Sequence, residues 1–251
     1  MSRDRALFSK YERIIRALPG RALEKHDLLI PALRVDSEDE LEIYYAPLTY
    51  VNEAAQIVLV GITPGFHQMA KAYEVARKLL SEGRSPEEIF REASRNAAFA
   101  GSMRDNLVRM LDGLGIPQHL GISSCWALFD TQNRHLVHTT SSIRYPVFRD
   151  GENYSGSKPP IARSALLRRY VETRLAAELS RVPEALVVPL GKSVSEALQL
   201  LASDGRLDLS RSLVGFPHPS GGNGHRKREY AERREALQAQ VSHWFAARRA
   251  G

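Results

Sequence analysis

The run Ile57-Val58-Leu59-Val60, followed at once by Gly61-Ile62-Thr63-Pro64-Gly65, constrains this chain more than any other segment. Consecutive apolar and β-branched residues with no polar alternation read as a strand buried on both faces. The Gly/Pro turn ends that strand and projects one small polar side chain, Thr63, past its carboxyl end. Two later segments repeat the pattern. Residues 185–190 (Ala-Leu-Val-Val-Pro-Leu) run into Gly191-Lys192-Ser193, and residues 212–216 (Ser-Leu-Val-Gly-Phe) run into Pro217-His218-Pro219-Ser220-Gly221.

Helical spacing separates these strands. Residues 4–18, 67–82, 86–100, 102–114, 162–181 and 226–248 are expected as helices, with a further helix opening after Gly191. Ser85-Pro86-Glu87-Glu88 reads as a capped helix start, with Pro at the first position. Residues 41–45 are expected as a short edge strand, and short strands are expected near 125–130 and 135–139. Residues 145–161, rich in Gly, Pro, Ser and Asn, read as a long loop. Strands alternating with helices predict an α/β chain, a three-layer α/β/α arrangement around a mainly parallel central sheet. No repeat or linker divides the sequence, so one domain spans 1–251, with a helical extension over about 1–50.

In such a sheet ligands bind beyond the carboxyl ends of the strands. Thr63, Lys192 and His218 each closely follow a strand, and this topology predicts that they converge. Lys192 and Ser193 open a helix, a place where backbone N–H groups take phosphate, or where they serve as an ordinary cap. No nucleotide-binding P-loop is present, because Leu186 stands where its first glycine would be. Neither a Gly-x-Ser-x-Gly elbow nor a Gly-x-Gly-x-x-Gly turn after a strand occurs.

The formal net charge of +6 favours a polyanionic partner, with nucleic acid the commonest. Residues 221–228 are glycine-rich and then basic, which suits Arg226 and Lys227 to phosphate contact. Arg144, Tyr145, Arg149, Asn153, Tyr154 and Lys158 mix basic and aromatic groups across the 145–161 loop and its entry. Cys125, the only cysteine, reads as a core thiol and excludes an internal disulfide. Scattered histidines predict no metal site, and no cofactor is expected. No run of about 18 apolar residues occurs, so no membrane span is predicted. The N-terminus carries no signal-peptide core, which makes the cytoplasm the default location.

Gly61-Ile62-Thr63-Pro64-Gly65 with Met69-Ala70, and His218-Pro219-Ser220 in the same order downstream, resemble the two active-site motifs of the uracil-DNA glycosylase superfamily. The nearest likeness is to its single-strand-selective and mismatch-specific branch. That resemblance implies a uracil-DNA glycosylase-like fold and a monomer acting on DNA. The reaction would flip out one nucleotide and hydrolyse its base–sugar bond. His218 would stabilise the departing base anion, and Thr63 would position the water or serve only as a turn hydroxyl. Ile62, Gly65 and Phe66 would contact the base, Phe66 by stacking or else by packing in the core. Lys158, Lys192, Ser193, Ser220, Arg226 and Lys227 would hold the DNA.

The chain departs from the family at two places. The first motif normally carries Asp or Asn where Thr63 stands. The strand that normally offers an Asn to read uracil here reads Leu136-Val137-His138-Thr139-Thr140-Ser141-Ser142, so Thr139 and Thr140 would line a roomier pocket. A site with different polar groups selects a different substrate. The expected substrate is therefore a non-standard pyrimidine, such as the hypermodified bases of phage DNA. A conventional uracil or mismatch repair enzyme and an inactive DNA-binding module of the same fold remain as alternatives.

Overall fold

The computed structural model describes residues 3–99 and 101–249. The elements run α1 (Arg3–Ala17), α2 (Lys25–Leu28), β1 (Arg34–Glu38), β2 (Leu41–Tyr44), β3 (Ile57–Gly61), α3 (Phe66–Ser81), α4 (Pro86–Ala97), α5 (Gly101–Gly113) and α6 (Ile116–Leu120). They continue with β4 (Val137–Ser141), β5 (Val147–Arg149), β6 (Glu152–Asn153), α7 (Ala165–Tyr170), α8 (Ala176–Leu179), β7 (Leu186–Pro189), α9 (Lys192–Ser203) and α10 (Arg226–Arg249). The protein is mixed α/β, with a parallel three-stranded sheet and helices. Its contacts divide into two compact units. The first comprises Met1–Val51, Thr63–Ala98 and Ile143–Lys158, and the second Asn52–Ile62, Phe99–Ser142 and Pro159–Gly251.

The second unit holds the parallel sheet, in the order β4-β3-β7. β3 lies in the middle and is buried at every position, as its unbroken apolar run requires. Ile57 pairs with Val137 on one side and Leu186 on the other, and Gly61 reaches Ser141. Residues 212–216, expected as a strand, make one bridge from Ser212 to Val187 and then turn. The turn follows from Gly215, whose φ of 92° lies where side-chain-bearing residues are strained. α7 passes through a π turn over Val171–Leu175 into α8, which places Glu178 against β4. There its carboxylate bonds His138 Nε2 at 2.7 Å, with both side chains buried. α10 buries Leu237, Val241 and Phe245, and Phe245 stacks on His119 with ring centroids 4.7 Å apart.

No strand forms at 125–130. Cys125–Phe129 is a 3₁₀ turn instead. The Asp112 carboxylate accepts from Ser124 Oγ and from the Cys125 N–H, both at 2.7 Å, and Ser124 Oγ accepts from the Trp126 N–H. Side-chain bonds of this kind compete successfully with a sheet ladder for the same backbone groups.

The first unit carries a sheet that the alternation of strands and helices did not predict. Its order is β1-β2-β5-β6, and every pairing is antiparallel. The expectation of a mainly parallel sheet thus holds for the second unit alone. β2, expected at an edge, lies between β1 and β5. The 145–161 segment, expected as a loop, contains the β5–β6 hairpin. Asp150 and Gly151 turn it with φ of 51° and 73°, the positive pair that matches strand twist. Residues 1–50 contribute β1 and β2 besides helices.

α1, α3 and α4 complete the first unit. Ser85 and Glu88 form the expected reciprocal cap on α4, at 3.3 and 3.0 Å, worth about 1 kcal/mol. Phe8 meets Phe90 edge-on at 5.1 Å, Tyr11 stacks on Tyr45 at 4.4 Å, and the Tyr73 hydroxyl donates to the Tyr45 carbonyl.

Candidate active site at the carboxyl ends of the parallel strands

The chain passes from β3 to β4 on one side of the sheet, then crosses to β7 on the other. The order of strand addition, not the strand direction, switches sides between β3 and β7, and in parallel sheets ligands bind beyond the carboxyl ends at such a switch point. Gly61-Ile62 leaves β3 there, and Leu190-Gly191 leaves β7, with the Leu190 N–H bonded to the Val60 carbonyl at 2.9 Å.

The His218 turn is built onto this end. The Gly191 N–H donates to the Phe216 carbonyl at 3.0 Å, which ties the turn to the end of β7. Gly191 has φ of 101°, and a Cβ there would stand 2.9 Å from His218 Cβ. Only glycine satisfies both the backbone angle and the close approach. The imidazole is half-buried, and loss of solvation holds its pKa below the ordinary value. It is therefore neutral at neutral pH. Its Nδ1 accepts from the Ser220 N–H at 3.3 Å, so the ring carries its hydrogen on Nε2. The result is a neutral donor aimed away from its own loop.

Neighbouring side chains fix that loop. Asn106 Nδ2 donates to the Pro219 carbonyl at 2.9 Å, and Asn223 Nδ2 to the His218 carbonyl at 3.3 Å. Arg226 Nη1 donates to the Ser220 carbonyl and reaches Pro219 O at 3.5 Å. Arg226, expected to hold DNA, thus spends donors on the turn itself. Neither Asn was anticipated. Asn223 carried a signal, an Asn among glycines before a helix, and its Oδ1 accepts from the His225 N–H at 3.1 Å. Asn106 carried none, because nothing in a helical pattern tells which side chain will reach across 113 positions.

The other expected residues of the second unit are placed as follows. Ile62 is half-buried after β3, and Ser220 is half-buried in the turn. Thr139 and Thr140 lie half-buried on β4, opposite Leu59 and Val60. Lys192 is exposed, with Nζ 3.8 Å from Glu196, while Ser193 is half-buried in the first turn of α9. Lys227 is exposed on α10.

Thr63, Gly65, Phe66 and Lys158 belong to the first unit. The Thr63 hydroxyl donates to the Tyr145 carbonyl at 2.8 Å and accepts from the Val147 N–H at 3.0 Å. Its single proton is spent, and one lone pair is left for a water to donate to. Gly65 caps α3, and its N–H bonds Gln68 Oε1 at 3.1 Å. Phe66 donates its N–H to Asn153 Oδ1 at 2.8 Å, and its ring is half-buried. Lys158 is exposed. Three other residues expected on a DNA-facing loop are buried instead: Arg144, which pairs with Asp4, and Tyr145 and Tyr154. Cys125 is buried as expected, and burial pushes its thiol well up. Among the described residues no helix is long and apolar enough to cross a membrane.

No family model matches the chain, and no solved structure matches it either. One protein of Bacillus subtilis (strain 168), described as "Uncharacterized protein YoxB", is 41% identical over 245 residues. The alignment covers 97% of this chain and 95% of the Bacillus protein. Identity at that level along the whole length places the chain in one family with YoxB.

Proposed function

We propose that the protein is a monofunctional DNA glycosylase of the uracil-DNA glycosylase superfamily, acting on a non-standard pyrimidine. The observation that carries this reading is His218, a neutral imidazole with Nδ1 occupied and Nε2–H outward, at the carboxyl end of β7. Breaking the base–sugar bond sends its electron pair onto the base, and water oxygen closes on C1′. A pre-aimed neutral donor stabilises that anion without reorganisation, an effect worth about 3–4 kcal/mol. The proton released by the water ends on the base or in solvent. No lysine stands in either motif, which favours water over an amine as nucleophile.

A three-layer α/β/α arrangement of the second unit belongs to the same reading. The order β4-β3-β7, with Ser212 bridging beyond β7, supports it. Small side chains at Thr139 and Thr140 favour a substrate bulkier than uracil.

The test is incubation with single- and double-stranded DNA carrying uracil, mispaired thymine or a hypermodified cytosine, followed by alkali. Strand cleavage at the modified position is expected. If all of these DNAs stay intact at high enzyme concentration, the reading fails.

One observation favours a second reading, a DNA-binding module without catalysis: Thr63 commits its only proton to the Tyr145 carbonyl. Such a module binds DNA in a salt-sensitive way and releases no base. His218→Ala separates the two, because an enzyme loses turnover by about 10² or more while a binder keeps its affinity.

A further inference from the structure

His218 owes its outward Nε2–H to one bond, from the Ser220 N–H to Nδ1. That N–H belongs to the peptide joining Pro219 to Ser220. A trans peptide is planar, so its C=O and N–H point in opposite directions as one rigid unit. Whatever holds the Pro219 carbonyl therefore also aims the Ser220 N–H.

Asn106 holds it. The side chain stands on α5 and is 8% exposed, and its Nδ2 lies 2.9 Å from the Pro219 carbonyl. Its Oδ1 accepts from Arg109 Nη2, one turn further along α5, at 2.7 Å. A guanidinium only donates, so it requires the amide oxygen on its own side. That leaves the NH₂ facing the carbonyl. A carboxylate of the same shape would set oxygen against oxygen there, and an aliphatic side chain would leave the buried carbonyl with one partner fewer.

We infer that Asn106 is the positioning residue of the His218 turn, with Arg109 fixing which way its amide faces. This rests on the glycosylase reading only for its effect on rate, since the effect on the imidazole is present without substrate. Asn106 acts through the peptide plane: it turns the Ser220 N–H onto Nδ1, selects the Nε2–H tautomer and keeps the ring in its half-buried seat.

The experiment follows the ring nitrogens of His218 by ¹⁵N NMR in the full-length protein between pH 5 and 8. Wild type shows the Nε2–H tautomer and a titration midpoint below the ordinary 6.5 or so. Asn106→Ala mixes the tautomers and moves the midpoint toward that ordinary value. Arg109→Ala, at an exposed position that does not threaten the fold, shifts both in the same direction by a smaller amount. Asn106→Asp exceeds Asn106→Ala. With a cleavable DNA in hand, Asn106→Ala lowers kcat about 10–100-fold while KM stays within about two-fold. Unchanged tautomer and midpoint in both folded alanine variants overturn the inference. Absence of base release by wild type sinks the glycosylase reading alone, because the ring spectra do not depend on it.

Discussion

Loss of solvation on burial favours the neutral ring of His218, and the sign of its pH dependence follows. The folded state lowers its pKa, so the unfolded chain binds the proton more readily. The neutral ring's contribution to stability is complete above about pH 6.5 and is lost as pH falls through the lowered folded value. Relative to wild type, His218→Gln should therefore hold its melting temperature better below pH 6, as thermal unfolding between pH 8 and 5 would read. Base release should follow the same limb, because protonating Nδ1 breaks the bond from Ser220. His218→Ala should cost about 10² or more in kcat/KM, by alkali cleavage assay. Thr63→Val should cost about 1–3 kcal/mol in denaturant unfolding, since it removes the hydroxyl that bonds both the Tyr145 carbonyl and the Val147 N–H. A double-mutant cycle of Thr63→Val with His218→Ala measures whether Thr63 acts on the same step. At this scale the sequence pointed to His218 and Thr63 because each sits in a Gly/Pro turn after an apolar run. It could not point to Asn106, whose partner is set by packing.

β3 and β7 were legible because a strand buried on both faces leaves an unbroken apolar run, and that pattern survives any detail of packing. The β5–β6 hairpin was legible in principle, since Asp150-Gly151 is a strong turn signal. Its strands are short and its flanks are rich in loop-forming residues, so composition outweighed the dipeptide. The 125–130 turn was illegible, because Asp112 claims its backbone from another element. Gly191 joins element to site. Gly191→Ala should be destabilised by about 1–3 kcal/mol from backbone angle alone. It should lose base release beyond that, since the new methyl group displaces His218. Comparing melting temperature with kcat in that variant separates the two effects.

Charge acts across the entire protein. If DNA is the substrate, as proposed, a surplus of six positive charges predicts an affinity that falls linearly on a log–log plot against salt, through released counterions. Exposed Lys192 and Lys227 are the positions to test. Replacing either with Ala should lower that slope by about one if it meets a phosphate, as fluorescence anisotropy at several salt concentrations would show. The 41% identity with the Bacillus protein gives a second route, because a function found for either can be sought in the other.

The π turn at Val171–Leu175 sets the rotational phase of everything that follows it in that helix. Relative to a regular α-helix it absorbs one extra residue, a step of about 100° around the axis. By taking up that step locally, the bulge keeps Glu178 facing His138. Straightening the bulge into a regular α-helix with every residue kept would swing the acid out of reach of the imidazole, whereas deleting one residue within the bulge would leave it in phase. The spare residue is thus silent downstream: a descendant can shed it and keep both partners, but one that straightens the helix at full length must recruit a new acid or give up the histidine.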